Sequence, residues 1–312
     1  MKIVMVDSSR VGLKIIAAML KDQCNDIHIF TDGLDAFEFI QQEHDVDLVL
    51  TGLELPSMSG IELCWETQLM KHHGRHIYII AMSSNSDEAK LSETLDSGAD
   101  EFISKPPRKQ ELMARLRVAQ RMRAMQNQLI KQATLDGLTG ILNRRAFFER
   151  AGFYCNEADE GAALSAIMFD IDHFKSINDR FGHDVGDKVL CSFVQLVEED
   201  LGLFARLGGE EFILLLPEVG QAQAMEIAEE IRCRVEQMDL KVGAHAVAVT
   251  CSFGVSEWGL NDTLDRLIKR ADLALYLAKE SGRNQVRFGK DNIGDVVPER
   301  TFEKPEFFVS AG

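Results

Sequence analysis

The sequence has no Cys-x-x-Cys pair: its cysteines, Cys24, Cys64, Cys155, Cys191, Cys233 and Cys251, are scattered and mostly lie in apolar segments. That spacing argues against a disulfide framework or a zinc ribbon and reads as reduced packing residues. Long hydrophobic runs are missing too. None approaches the roughly 18 apolar residues of a membrane span, and the densest, Phe212 to Leu216, is strand-sized. Positive charge is in deficit, 34 Lys and Arg against 50 Asp and Glu for a formal −16. This disfavours nucleic-acid binding, which depends on cations meeting phosphates. The N-terminal Met1-Lys2-Ile3-Val4-Met5-Val6 reaches Asp7 before a signal peptide's apolar region could form, so a cytoplasmic location is expected. What is present is globular: 46% hydrophobic, 27% charged, and long enough at 312 residues for two domains.

Residues 1–107 alternate apolar runs with amphipathic stretches. Lys2–Val6, Ile27–Phe30, Asp47–Gly52, Ile77–Ser83 and Glu101–Lys105 are expected as strands with helices between them. Such alternation implies an α/β fold with a doubly wound, five-stranded parallel sheet. Its working ends would carry Asp7, Gly52, Ser83 and Lys105. Residues 108–134 have no Gly or Pro before Ala133 and are rich in helix formers. They predict a helical linker of about 25 residues, roughly 38 Å long. Val118, Met122, Met125 and Leu129 repeat at 4, 3 and 4, the seam of a short coiled coil, although packing on its own domain is the alternative. Residues 135–289 form a second unit with strands near Ser165–Asp170, Phe204–Leu207, Glu211–Leu216 and Val247–Glu257. Helices are expected near Arg144–Ala158, Asp184–Leu201, Gln221–Met238 and Leu264–Glu280. Strands and helices do not strictly alternate there, so an α+β sheet with an antiparallel hairpin is expected. Residues 290–312 lose periodicity and are expected to be a flexible tail, with Phe302, Phe307 and Phe308 unanchored.

Two acidic clusters carry chemistry. Phe169-Asp170-Ile171-Asp172-His173-Phe174-Lys175 ends an apolar strand, and a period of two puts Asp170 and Asp172 on one face. Gly208-Gly209-Glu210-Glu211-Phe212 joins two apolar runs as a hairpin turn, where glycine accepts positive φ and leaves room for a phosphate at Gly209. Carboxylates on a strand end and a tight hairpin suit a divalent cation that also holds substrate phosphates. A third element, Ala271 to Asn284, is a helix stopped by Gly282, with Lys279 and Arg283 four apart at its end. Alone, that is a surface helix whose basic residues complement its dipole.

With Asp136-Gly137-Leu138-Thr139-Gly140, Asn143-Arg144-Arg145, Asn178, Phe181-Gly182-His183 and Gly186-Asp187 in order, residues 135–288 resemble the GGDEF family of diguanylate cyclases, in the GGEEF spelling. The resemblance implies that Asp170, Glu211 and the Ile171 carbonyl hold Mg²⁺ or Mn²⁺, and that Glu210 helps deprotonate the ribose 3′-hydroxyl. It further implies that Asn178 and Asp187 read guanine in a pocket lined by Leu138 and Phe174, with Gly209 and His183 among the substrate contacts. Lys175, Lys279 and Arg283 would hold phosphates. A carboxylate pairs with the guanine N1 and N2 donors, so Asp187 favours GTP over ATP. The implied activity is condensation of two GTP into cyclic di-GMP by a homodimer joined through the first domain or the stalk. The alternative is a non-catalytic GTP or cyclic di-GMP binding signalling protein.

Residues 1–107 resemble the receiver domain of response regulators, on Asp7, Ser83, Lys105-Pro106 and the run Leu55-Pro56-Ser57-Met58-Ser59-Gly60. The family's phosphoryl-accepting Asp falls on Gly52 and its second metal acid on Ser8. A degenerate site deaf to phosphorylation is therefore expected, the domain serving for dimerisation, docking or control by an unknown regulatory protein. The family's product-inhibition motif Arg-x-x-Asp falls on Glu199-Asp200-Leu201-Gly202, lacking both functional residues. His72, His73 and His76 lack nearby acids or thiols and read as a solvated connection. No basic recognition helix supports a DNA-binding output.

Overall fold

The computed structural model describes residues 1–21, 26–70, 75–84, 88–197, 201–242 and 245–290. Cys24, His72, His73, Glu199, Asp200 and the tail phenylalanines lie outside them. The chain divides into two compact units, Met1–Leu129 and Ile130–Gly312.

In the first unit β1 (Lys2–Val6), β2 (Asp26–Phe30), β3 (Val46–Gly52), β4 (Tyr78–Ser83) and β5 (Glu101–Ser104) pair in parallel in the order β2-β1-β3-β4-β5. The connecting helices are α1 (Arg10–Leu20), α2 (Gly33–Gln42), α3 (Gly60–Leu69) and α4 (Glu88–Asp96). Helices cover both faces, which is why the central strands are continuous apolar runs rather than alternating ones. Ile3, Met5, Leu48, Leu50 and Ile80 meet Leu13 and Ile16 of α1 on one side; Val4, Val6 and Val49 meet Ala36, Ile40 and Leu63 on the other. Ser9 and Asp32 cap α1 and α2, and Ser59 with Glu62 forms a capping box on α3.

Helix α5 (Lys109–Thr134) runs unbroken for 26 residues. Leu112, Leu116 and Ala119 are buried against the first core, and Arg123 pairs with Asp47 at 2.8 Å. The N-terminal half of the expected stalk is therefore built into the first unit. Of the expected seam, Val118 is half-buried, while Met122, Met125 and Leu129 are exposed.

The second unit has a six-stranded mixed sheet in the order β13-β12-β7-β9-β8-β6. The strands are β6 (Leu142–Asn143), β7 (Leu164–Ile171), β8 (Leu203–Gly208), β9 (Glu211–Pro217), β12 (Cys251–Glu257) and β13 (Val286–Phe288). A separate hairpin pairs β10 (Leu240–Val242) with β11 (His245–Val247). Helices α8 (His183–Val194) and α9 (Gln221–Glu236) cover one face, where Phe169, Phe193, Phe212 and Phe253 cluster. Helices α6 (Arg144–Asp159) and α10 (Leu264–Glu280) cover the other. A short α7 (Phe174–Phe181) leaves the end of β7. The expected strand Val247–Glu257 is interrupted, because Thr250 turns to meet Asp172: its carbonyl accepts from the Asp172 N–H and its hydroxyl donates to the Asp172 carboxylate. The expected helix from Asp184 ends at Val194 rather than at Leu201.

Candidate active site

Alternation along β7 settles which way its acids face. Ile167, Phe169 and Ile171 pack on the α8–α9 side, so Ala166, Met168 and Asp170 face α10. Asp170 sits directly opposite Glu211 in the antiparallel β7–β9 pair. Glu210 lies in the intervening β8–β9 turn, and its carbonyl accepts from the Ile171 N–H at 3.4 Å. Gly209 takes φ 53° there, a left-handed value that glycine meets without steric cost. The turn is braced by Arg206, which donates to the Gly209 carbonyl at 2.8 Å and to Asp136 at 3.0 Å. Asp136 in turn accepts from Thr139, so the Asp136-Gly137-Leu138-Thr139-Gly140 segment is tied to the hairpin. Nothing in the sequence paired Arg206 with Asp136; only the fold brings them together.

Lys279, in the last turn of α10, reaches Asp170 at 2.7 Å. The resemblance implies a phosphate partner for it; in the structure its partner is the Asp170 carboxylate. Burial pushes the Asp170 carboxyl up to about 6, against the opposing pull of Lys279, and Glu210 and Glu211 add to the rise. The site thus holds more negative charge than its surroundings solvate, the imbalance a divalent cation relieves. Among the described residues no three or more His, Cys, Asp or Glu side chains converge as a ready-made cage. Asp170, Glu211 and the Ile171 carbonyl would supply oxygen donors, a set that fits Mg²⁺, which keeps places for water and phosphate. A cation held there would compete with a proton for Asp170 below its pKa, so Mg²⁺ affinity is expected to fall as pH drops through about 6. Calorimetric titration with Mg²⁺ from pH 5 to 8 checks this; a flat profile contradicts it.

A second cluster lies on α7 and α8. Asn178 Oδ1 is buried without a hydrogen-bond partner among the described residues. A Cβ at Gly186 would stand 1.9 Å from that oxygen and 3.1 Å from Phe174, so glycine is needed for Asn178 to occupy its place. An unpartnered buried acceptor beside an aromatic ring suits a flat ligand that brings a donor. Asp187 is exposed next to Gly186, and Cys191, one turn further on, donates to the Leu138 carbonyl at 3.4 Å. Phe174 and Asn178 thus meet at Gly186, and α8 is tied to Leu138 through Cys191. Lys175 and His183 stand exposed on α7 and at the start of α8, and Arg283 lies in the turn after α10 at φ 64°. Asp172 accepts from the Thr250 and Ser252 hydroxyls and the Asn284 backbone N–H, partners to which no local pattern in the sequence points.

In the first unit Lys105 Nζ lies 2.5 Å from Asp7, which is 3% exposed. A Cβ at Gly52 would stand 2.6 Å from that ammonium and 2.9 Å from Asp7. The lysine occupies the space a carboxylate would have claimed. Ser83 is buried nearby on β4, and Ser8 is exposed.

A five-stranded parallel sheet with an Asp–Lys pair at its strand ends thus precedes a second unit whose carboxylates meet on a strand and a hairpin. Residues 133–285 match the family model described as diguanylate cyclase, GGDEF domain, and residues 3–117 match the response regulator receiver domain. Response regulator PleD of Caulobacter vibrioides is 36% identical over 255 residues, covering 77% of this chain and 56% of its own. Diguanylate cyclase VdcA of Vibrio cholerae is 40% identical over 162 residues, covering 50% and 47%. The crystal structure of the coiled coil and GGDEF domain of DgcB from Caulobacter crescentus in complex with c-di-GMP superimposes with a TM-score of 0.52 at 34% identity, covering 57% of this chain and 99% of that one. The chain belongs to the GGDEF family of diguanylate cyclases and carries a response regulator receiver domain. It spans about half the length of the curated relatives it matches. Among the described residues, no helix is long and apolar enough to cross a membrane.

Proposed function

We propose that this protein condenses two GTP molecules into cyclic di-GMP, acting as a homodimer with Mg²⁺ or Mn²⁺. The observation that carries the reading is the pairing of Asp170 with Glu211 across β7–β9, with Glu210 in the adjoining turn and Lys279 at its side. In each half-reaction a ribose 3′-oxygen attacks the α-phosphate of the other GTP; one P–O bond forms, one breaks, and pyrophosphate leaves. Asp170, Glu211 and the Ile171 carbonyl would hold the cations, which supply charge neutralisation on the phosphates. Glu210 would take the 3′-hydroxyl proton. Asn178 and Asp187 would read the guanine edge between Leu138 and Phe174, and Lys175, Lys279 and Arg283 would bind phosphates, with Gly209 and His183 beside them. A ring with two such bonds needs two domains facing each other, and the exposed Met122, Met125 and Leu129 of α5 are the surface we assign to dimerisation.

Two controls are absent in this reading. Gly52 offers no carboxylate to form an acyl phosphate, and Lys105 already neutralises Asp7. At the position of the product-site aspartate stands Gly202, where a Cβ would lie 2.2 Å from the Leu215 carbonyl, so the backbone has no room for a side chain.

Incubation of the full chain with GTP and Mg²⁺ is expected to yield cyclic di-GMP and pyrophosphate by mass. Acetyl phosphate is expected to leave protein mass and rate unchanged, as is micromolar cyclic di-GMP. Failure of a folded dimer to form the product ends the cyclase reading. A phosphorylated protein, or inhibition by product, ends the corresponding part.

A further inference from the structure

We infer that Asp172 is a positioning residue for the triphosphate, holding the turn that carries Arg283 against the carboxylate strand. Its place two residues after Asp170, just beyond the end of β7, suggests a second metal ligand, but its oxygens are already engaged. Oδ1 accepts from Ser252 at 2.7 Å; Oδ2 accepts from Thr250 at 2.8 Å and from the Asn284 backbone N–H at 3.0 Å, and the residue is 4% exposed.

The turn it grips needs holding. Gly282, Arg283 and Asn284 take φ of 111°, 64° and 44°, three successive left-handed residues of which only the first is glycine. Asn284 is secured from its other side as well, accepting from Arg232 at 2.9 Å and donating to Glu236 at 2.8 Å. The same turn closes α10, with the Arg283 N–H donating to the Ala278 carbonyl at 3.0 Å. Residues 170–172 therefore grip the end of α10 twice, through Asp170 on Lys279 and through Asp172 on Asn284. The first grip is exchangeable: when substrate and cation claim Asp170, Lys279 is released. Asp172 is then the grip that remains, and it fixes Arg283 relative to the metal strand while the phosphates are bound.

This inference rests on Arg283 being a phosphate ligand, and the test separates the two. The full chain, with Mg²⁺, is titrated with 3′-deoxy-GTP, which cannot condense, and with GMP. Asp172→Asn places an amide N–H against a donor and should weaken the triphosphate about tenfold, the scale of a charged hydrogen bond, while leaving GMP affinity unchanged. Arg283→Ala should show the same selective loss, and the double variant no more than either. Thr250→Val keeps the carboxylate and removes one donor, so it should give a smaller loss with the same selectivity even if Asp172→Asn does not fold. Equal weakening of GMP and triphosphate, or a selective loss in Arg283→Ala alone, overturns the role of Asp172. No loss in Arg283→Ala overturns the phosphate reading itself.

Discussion

Asp170→Asn is expected to cut cyclic di-GMP formation about a thousandfold or more while leaving the folded protein at neutral pH no less stable than wild type. The loss follows from removing an anionic ligand where charge must be neutralised. The second half follows from the raised carboxyl: the group sits near 6 in the folded protein against 3.8 ordinarily, so it resists ionisation there. Burial outweighs its pairing with Lys279, so its contribution runs opposite to that of an acid whose ion pair dominates. Wild-type stability declines as pH rises from about 4 through 6, and above 6 the ionised group costs up to about 3 kcal/mol, with the attraction of Lys279 already included. The amide carries no such cost. Thermal melts at pH 7.5 should place the variant at or above wild type, and the difference should vanish near pH 4. A variant that melts well below wild type at pH 7.5, or that keeps more than a tenth of the activity, contradicts the assignment.

Gly254→Val is expected to destabilise the second unit by about 3 kcal/mol or more, lowering its melting temperature by roughly 6–12 °C. Gly254 lies on β12 under α10, where a Cβ would stand 2.0 Å from the Ala271 carbonyl and 2.3 Å from the Leu275 nitrogen. Both are helix backbone atoms with no rotamer to change, so the whole helix must lift. Ala271, Ala274 and Ala278 make the approach possible by giving α10 a small-residue underside. Since α10 carries Lys279 to Asp170, lifting it should also impair binding of GTP. A Gly254→Val protein with an unchanged melting temperature would show that the helix does not rest on the strand there.

The parts legible in the sequence were those set by local pattern. The parallel strands of the first unit are short, continuous apolar runs, and their bounds were read to within a residue or so. Helix α10 spans Leu264–Glu280 as its pattern predicts, with Gly282 just beyond its end; the Thr263 side chain that caps its start is a feature the structure adds. Elements of two or three residues such as β6 and β13 carry no period. Helix α7 has eight residues dominated by motif positions, which hid its amphipathic pattern. The acids of the site were visible as a cluster, but not their neighbours. Period two could not show that Asp170 meets Lys279, nor that Asp172, just beyond the end of β7, meets two hydroxyls and a backbone N–H, because those partners arrive from 78 or more residues away. Likewise Gly186 read as a family letter until its closeness to Asn178 gave it a steric reason.

Gly52 also bears on what could be built back. A Cβ there would meet the Lys105 ammonium at 2.6 Å and Asp7 at 2.9 Å. The ammonium is the far end of a flexible side chain and can swing aside, so room alone does not bar an aspartate. The new carboxylate would instead compete with Asp7 for the same ammonium, with Ser8 supplying no acid to recruit a cation. Position 52 is thus a place where one residue changes who holds Lys105, before it changes any chemistry.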